Sequence, residues 1–179
     1  LECIKLVDVT TNGQQKEIAW ENRAELGFLN ALFATWKEIV FHPKKFFSSL
    51  PAKAPIGSPL LFAIIWGSLA ITVSAIINMA VVMSGASVPN LPAGATIPPK
   101  AVMMGSYAVL MIISPLLVTA GIFIISAIYQ LVVFIFGGRE GFHATFRVLS
   151  YTNALALFNL VPIAGPIFVT CYSIVLFVI

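Results

Sequence analysis

The sequence predicts an all-α, polytopic membrane protein: a transmembrane helical bundle preceded by an amphipathic helix at the membrane interface. Of the 179 residues, 59% are hydrophobic and 9% are charged, whereas a soluble domain carries roughly 25% charged residues. The mean hydropathy is +0.99. The charge is also unevenly placed, because beyond Lys53 only Lys100, Arg139, Glu140 and Arg147 have charged side chains. Long uncharged apolar runs of this kind are typical of membrane spans.

This uneven composition divides the chain into three regions. Residues 1–21 form a polar N-terminal arm. Residues 22–53 form an amphipathic juxtamembrane helix and a linker rich in basic and aromatic residues. Residues 54–179 form the transmembrane domain, with spans expected at about 59–83, 105–136, 143–161 and 163–179.

The amphipathic helix is predicted over residues 22–41. Asn22 occupies an N-cap position with Glu25 three residues later, as in a capping box. His42 precedes Pro43, which disfavours further helix. On a helical wheel one apolar stripe contains Leu29, Phe33, Trp36 and Val40. We expect this helix to lie among the lipid headgroups, with packing on a cytosolic partner or on the bundle as the alternative. The membrane-interface anchors of this segment are Trp36, Lys44, Lys45, Phe46 and Phe47.

The first span, from Pro59 to Met83, has about 25 uncharged residues and is long enough to cross a bilayer core of roughly 30 Å. Small or weakly polar residues recur at helical spacing along it, which favours close packing against another helix. These residues are Ala63, Gly67, Ala70, Ser74 and Asn78.

Residues 101–136 are uncharged and contain one helix breaker, Pro115. A single helix of this length would measure roughly 54 Å, and no polar turn divides it into two spans. We therefore expect one long, proline-kinked span, with a re-entrant first half as the alternative. The third and fourth spans follow the sequence GGREGF and are separated by VPIAGP. Because the sequence ends on the apolar VLFVI, we expect a fifth span in the full-length protein.

The distribution of lysine and arginine predicts the orientation. Lysines precede the first span, only Lys100 lies in the next loop, and Arg139 and Arg147 follow the second span. With four spans the basic segments fall on one side, so the N-terminus is expected in the cytoplasm. Arg139 and Arg147 complete the membrane-interface anchors, since arginines near a span end can reach lipid phosphates.

The chain contains no recognisable catalytic, cofactor or metal motif. GGREG lacks the lysine and the Ser/Thr of a phosphate-binding loop. His42 and His143 are isolated rather than clustered with other ligands. No lysine- and arginine-rich stretch with aromatics indicates nucleic-acid binding. We therefore predict a protein that is not an enzyme, with no cofactor, no metal and no nucleic-acid partner.

Polar residues at membrane depth leave two interpretations open. Such groups either bind helices together or line a pathway. The first interpretation favours a scaffold, and the second favours a small-solute channel or transporter subunit. The intrabundle polar residues are Asn78, Thr119, Ser126, Gln130, Thr152 and Asn159.

The order of motifs over residues 20–179 resembles the Yip-domain family of Ypt/Rab-GTPase-interacting integral membrane proteins. The lead-in to the first span matches at Trp36, Pro43, Phe46 and Phe47. The loop and third span match at Gly137, Gly138, Arg139, Gly141, Phe142, Thr145, Arg147, Val148, Tyr151, Pro162 and Gly165. WENRAELGF resembles prokaryotic members, in which it often follows a zinc-ribbon-like segment. This chain has only Cys3 there, so a zinc ribbon is not supported.

The resemblance implies a fold of about five spans and a non-enzymatic role. In eukaryotes the family is implied in recruiting Rab GTPases to membranes, a machinery that prokaryotes lack. We therefore expect a scaffold or adaptor at the cytoplasmic face, in the bacterial cytoplasmic membrane. Its expected partners are membrane lipids, proteins at the cytoplasmic face (small GTPases in a eukaryote) and further copies of the same chain.

Overall fold

A computed structural model of the chain describes residues 18–51, 54–85, 98–135 and 141–160. Of the described residues, 86% are helical and none lies in a strand, which confirms the all-α class. The elements in chain order are α1 (Arg23–Leu26), α2 (Phe28–Phe41), α3 (Pro43–Ser48), α4 (Gly57–Ser84), α5 (Lys100–Ile135), α6 (Phe142–Thr152) and a 3₁₀ segment (Asn153–Leu160).

Helices α4 and α5 are the two described helices that are long and apolar enough to cross a membrane. They contain 28 and 36 residues, and their most apolar windows have mean hydropathies of 2.4 and 2.6. Only 11% of the α5 window is buried. Because the window itself is strongly apolar, most of its apolar side chains lie on the outer surface of the structure. An apolar surface of this extent is suited to lipid rather than to water.

Helix α5 is continuous through Pro115, so these residues form one helix and not a re-entrant turn. Proline has no backbone N–H, and the carbonyl four residues earlier, that of Met111, therefore loses its helical partner. The Ser114 hydroxyl donates a hydrogen bond to this carbonyl at 2.9 Å. A side chain next to the proline thus satisfies the polar group that the proline leaves, as a span requires.

The small-residue face predicted in the first span is where α4 meets α5. Ala63, Gly67 and Ala70 are buried. A Cβ atom at Gly67 would lie 2.9 Å from both methyl groups of Val118 on α5 and 3.4 Å from Oδ1 of Asn153. Glycine at this position therefore allows the two helix backbones to approach closely.

One end of the bundle brings together the beginning of α4, the end of α5 and the beginning of α6. The Thr145 hydroxyl of α6 donates to Gln130 Oε1 of α5 at 2.8 Å. The rings of Phe123 and Phe146 lie 4.9 Å apart between the same two helices. This is the end at which the predicted topology collects the basic segments.

The third predicted span is not one regular α-helix. Helix α6 ends at Thr152 and continues as the 3₁₀ segment. By their rises per residue the two parts are each about 16 Å long. The Ala154 carbonyl accepts a hydrogen bond from the Trp36 indole at 3.2 Å, so the segment bonds to a neighbouring helix at this point. The fourth predicted span lies outside the described residues.

The predicted amphipathic helix is interrupted, and the face that packs on the bundle lies beside the predicted apolar stripe. Gly27 separates α1 from α2 with φ +81° and ψ 148°, a conformation that side-chain-bearing residues avoid. Leu29 and Phe33 of the predicted stripe are 64% and 56% exposed. The bundle instead covers a neighbouring arc of α2. The residues of that buried arc are Ala31, Leu32, Thr35 and Ile39.

Candidate functional site

The residues just before α1 are part of the bundle rather than of a free arm. Trp20 is fully buried. Its backbone N–H donates to Thr35 Oγ1 at 2.8 Å, and its indole Nε1 donates to the Ser58 carbonyl at 2.7 Å. Its ring contacts Phe28 and Phe62 edge-on. Residues 18–21, at the end of the predicted polar arm, therefore pack with the folded helices.

Glu21 lies at the centre of a polar cluster that joins three distant segments. Its carboxylate forms an ion pair with Arg147 of α6 and accepts a hydrogen bond from the Tyr151 hydroxyl at 3.0 Å. Arg147 also donates through Nη1 to the Pro55 carbonyl, just before α4, at 3.1 Å. We call Glu21, Pro55, Arg147 and Tyr151 the Glu21 cluster.

The Glu21 cluster is shielded from solvent mainly on the arginine side. Arg147 is 1% exposed, whereas Glu21 is 27% exposed. A guanidinium removed from water is strongly unfavourable unless a carboxylate and hydrogen bonds replace its hydration. Glu21 is therefore the residue that allows an arginine to occupy the interior of this bundle.

Arg23 forms a second polar link beside the cluster. Its Nη1 donates to the Trp20 carbonyl at 3.1 Å and to the Ser58 hydroxyl at 2.8 Å. Its guanidinium carbon lies 4.9 Å from the centre of the Trp20 ring, a cation–π distance. The segment before α1 is thus held to the start of α4 at two places.

Aromatic rings surround these polar contacts. Tyr151 packs edge-on against Phe46 of α3 at 5.2 Å and, with its ring tilted, against Phe62 of α4 at 5.3 Å. Trp36 stacks between Trp66 and Phe158, at 5.8 and 6.3 Å. Offset and edge-on pairs at these separations are favourable and also exclude water.

Several of the predicted membrane-interface anchors make contacts within the chain. Arg147 points into the bundle and pairs with Glu21 rather than with lipid phosphate. Phe46 is buried against Tyr151. The Trp36 indole stacks on other aromatic rings of the chain and donates a hydrogen bond to the Ala154 carbonyl. Lys44 and Lys45 are exposed and Phe47 is half-buried. Arg139 lies outside the described residues.

Several residues of the predicted loop motif contribute to packing and hydrogen bonding in and around α6. Gly141 precedes α6, and its carbonyl accepts the Ala144 N–H at 2.9 Å. Phe142 packs against Phe146 at 5.7 Å, and Tyr151 belongs to the Glu21 cluster. The motif residues outside the described part of the chain are Gly137, Gly138, Pro162 and Gly165.

Most of the predicted intrabundle polar residues bond within the protein. Asn78 donates to the Ser74 carbonyl at 2.7 Å, Thr119 to Pro115 at 2.7 Å and Thr152 to Val148 at 2.8 Å, each on its own helix. Gln130 pairs with Thr145, as described above. The Ser126 hydroxyl is buried without a hydrogen-bond partner in the structure.

Asn159 is exposed, and with Thr152 and Asn153 it lines a cleft of about 200 Å³ between α5 and the 3₁₀ segment. The remaining lining is mostly aliphatic. Among the described residues no group of three or more His, Cys, Asp or Glu side chains is placed to hold a metal ion.

Sequence reasoning missed Glu21, although a signal for it was present. Arg147 is charged within an apolar span whose own residues include no carboxylate. Charged residues at membrane depth pair with one another or with backbone carbonyls. The acidic residues before the first span were therefore the candidate partners of Arg147. They lie more than 100 positions from it along the chain, and local pattern does not reveal a pairing at that separation.

A family model with the description "Yip1 domain" matches residues 37–179. The match includes Arg147 and Tyr151, whereas Glu21 lies 16 positions before its first residue. Neither a curated protein nor a solved structure matches the chain.

Proposed function

The chain belongs to the Yip1 domain family of membrane proteins, and from this premise we propose that it is a non-enzymatic scaffold or adaptor at the cytoplasmic face. The Glu21 cluster is the observation that carries the proposal. It attaches the segment before α1 to α6 and to the start of α4 through an ion pair and two hydrogen bonds. A surface held in one conformation loses little entropy when a partner binds.

We place the N-terminus in the cytoplasm and the protein in the bacterial cytoplasmic membrane. The lysines before α4 support this orientation through the positive-inside rule. The start of α4, the end of α5 and the start of α6 share one end of the bundle. In this orientation Lys44, Lys45 and the Glu21 cluster all lie on the cytoplasmic side, in agreement with the charge distribution.

The exposed side of α2 and α3 is suited to the boundary between membrane and cytoplasm. Leu29, Phe33 and Phe41 expose apolar surface, while Lys44 and Lys45 expose charge. Apolar and cationic side chains on one short helical segment favour binding to anionic membranes. Membrane lipids and proteins that dock on this surface are thus the proposed partners, and self-association through apolar α5 is compatible with them.

The bonding of the intrabundle polar groups favours a scaffold over a transport pathway. Asn78, Thr119 and Thr152 donate to carbonyls of their own helices, which leaves those donors unavailable to a passing solute. The cleft near Asn159 is the feature that favours the alternative, a small-solute channel or transporter subunit.

Reconstitution in liposomes with a panel of small solutes and ions tests the proposal. Wild-type protein is compared with Asn159→Leu, which alters the cleft, and with Gln130→Leu, which breaks the α5–α6 hydrogen bond. We expect flux no higher than that of protein-free liposomes in all three samples. Flux in the wild type that both substitutions abolish would contradict the scaffold and support a pathway.

A further inference from the structure

A cleft of about 340 Å³ lies between the second half of α2 and α3. Its walls combine two lysines, a histidine, a carboxylate and a hydroxyl around an aromatic floor. The lining residues are Ala34, Lys37, Glu38, His42, Lys45, Phe46 and Ser49. Its size falls at the lower end of the range for small-ligand sites.

The two lysines give this cleft available positive charge. Both Lys37 and Lys45 are exposed, and neither ammonium group forms an ion pair with the part of the chain that the structure describes. Glu38 supplies the one carboxylate of the lining, and the Ser49 hydroxyl already donates to the Phe46 carbonyl at 2.8 Å. Two lysines against one glutamate leave the lining net cationic before His42 is counted.

We propose that this cleft binds the phosphate headgroup of an anionic phospholipid. Lysine ammonium groups act as compact point charges toward phosphate. Phe41 follows Lys37 by one helical turn and is 63% exposed, so apolar surface for an acyl chain adjoins the cationic walls. A phospholipid would contact both surfaces, with its headgroup at the lysines and its acyl chain at Phe41. Free phosphate would contact the lysines alone.

The floor of the cleft connects the proposed lipid site to the Glu21 cluster. Phe46 lines the cleft and packs edge-on against Tyr151, whose hydroxyl donates to Glu21. A bound headgroup would therefore add contacts to the element that already covers the cluster. The inference rests on the proposed placement of α2 and α3 at the membrane boundary, but it does not depend on the scaffold role.

Lipid binding to the whole protein in a neutral detergent tests the site directly. Phosphatidylglycerol and phosphatidylcholine with the same acyl chains are titrated, and bound lipid is counted by native mass spectrometry. The variant pair Lys37→Gln/Lys45→Gln removes two charges from the cleft. The control Lys100→Gln removes an exposed charge at the start of α5, outside the lining.

We expect phosphatidylglycerol to bind the wild type more tightly than phosphatidylcholine does. The cleft pair should lose about tenfold or more in affinity, because each lysine near anionic lipid is worth about fivefold, and Lys100→Gln should stay near wild type. Added salt should weaken binding in the wild type, which tests the charges without any substitution.

An equal loss in the cleft pair and in Lys100→Gln, no preference for the anionic lipid, or binding that salt does not weaken would each contradict the site. Displacement of phosphatidylglycerol by an equal concentration of inorganic phosphate would assign the cleft to a soluble anion and contradict the lipid. None of these outcomes would bear on the absence of flux, so the scaffold proposal is judged separately.

Discussion

The Glu21 cluster and the contact of α4 with α5 at Gly67 stabilise the same bundle by different physics. In the cluster, a nearly inaccessible arginine is bound by a carboxylate and a carbonyl. At Gly67 the nearest atoms across the contact are the methyl groups of Val118. The first region depends on charge complementarity between distant segments, and the second depends on the shapes of two adjacent helices.

This difference shows which contacts set the arrangement of the N-terminal segment. Helices α4 and α5 pack through small side chains, which many apolar sequences supply. The segment before α1 has a specific place because one carboxylate must meet one arginine. Substitutions in the cluster should therefore act through an uncompensated charge, whereas substitutions at Gly67 should act through steric overlap.

Glu21→Leu should have the largest effect, because it leaves the buried guanidinium of Arg147 without its counter-ion. Removing one partner of a buried ion pair costs about 3–5 kcal/mol, and the partial exposure of Glu21 points to the lower end. The measurement is the free energy of unfolding in mixed micelles of denaturing and mild detergent.

Arg147→Leu and the double variant complete a double-mutant cycle for the same pair. The double variant should be less destabilised than the sum of the two single variants, because neither charge is then left alone. Glu25→Leu is the matched control, since the exposed Glu25 carboxylate, among the described residues, accepts a side-chain hydrogen bond from Asn22 alone. A cycle in which the two effects simply add would show that the charges do not interact.

Tyr151→Phe sharpens the comparison by removing one hydrogen bond without changing the ring. The Tyr151 hydroxyl donates to the Glu21 carboxylate at 3.0 Å, and a hydrogen bond to a charged group is worth about 1.5–3 kcal/mol. The same unfolding measurement should show a loss of this order. The effect should vanish in the Glu21→Leu background, and an unchanged effect there would mean that the hydroxyl acts elsewhere.

Gly67→Ala tests the second region, where we expect a loss of about 1–3 kcal/mol from overpacking. The new methyl group would lie 2.9 Å from the Val118 methyls. Adding Val118→Ala should recover much of the loss by making room. Gly121→Ala is the control, since nothing lies within 4 Å of a Cβ there. Equal losses at Gly67 and Gly121 would exclude the steric explanation.

Ser114→Ala should have the smallest effect, a loss of about 0.6 kcal/mol, which is typical of one side-chain hydrogen bond within a membrane bundle. The substitution leaves the Met111 carbonyl, which Pro115 cannot bond, without the Ser114 donor. Ser106→Ala is a matched control, because Ser106 makes the same kind of bond to Met103 where no proline follows. A greater loss at Ser106 would contradict a special role for Ser114.

The sequence was sufficient to predict features that arise from local pattern. The all-α class and the resemblance to the Yip family are confirmed. The length of the uncharged apolar runs predicted α4 and α5. The helical spacing of small residues predicted the packing face around Gly67. Each of these signals lies within a single segment, so the composition or the periodicity of that segment is enough to detect it.

The features that the sequence did not reveal depend on tertiary contacts. The sequence predicts one helix over residues 22–41, but Gly27 divides it, and the arc that packs on the bundle lies beside the stripe through Leu29 and Phe33. Arg147 was assigned to the interface because arginines near span ends commonly reach lipid headgroups. Its partner, Glu21, is 126 positions away, a separation at which local pattern carries no information.

Amide hydrogen exchange of the intact protein in lipid nanodiscs tests the central claim most directly, with wild type and Glu21→Gln compared. The account predicts that peptides covering residues 18–41 exchange faster in the variant, because their attachment to α6 is lost, while peptides from the middle of α4 and α5 exchange as before. Unchanged exchange over residues 18–41, or an equal increase in α4 and α5, would contradict the conclusion that Glu21 holds the N-terminal segment on the bundle.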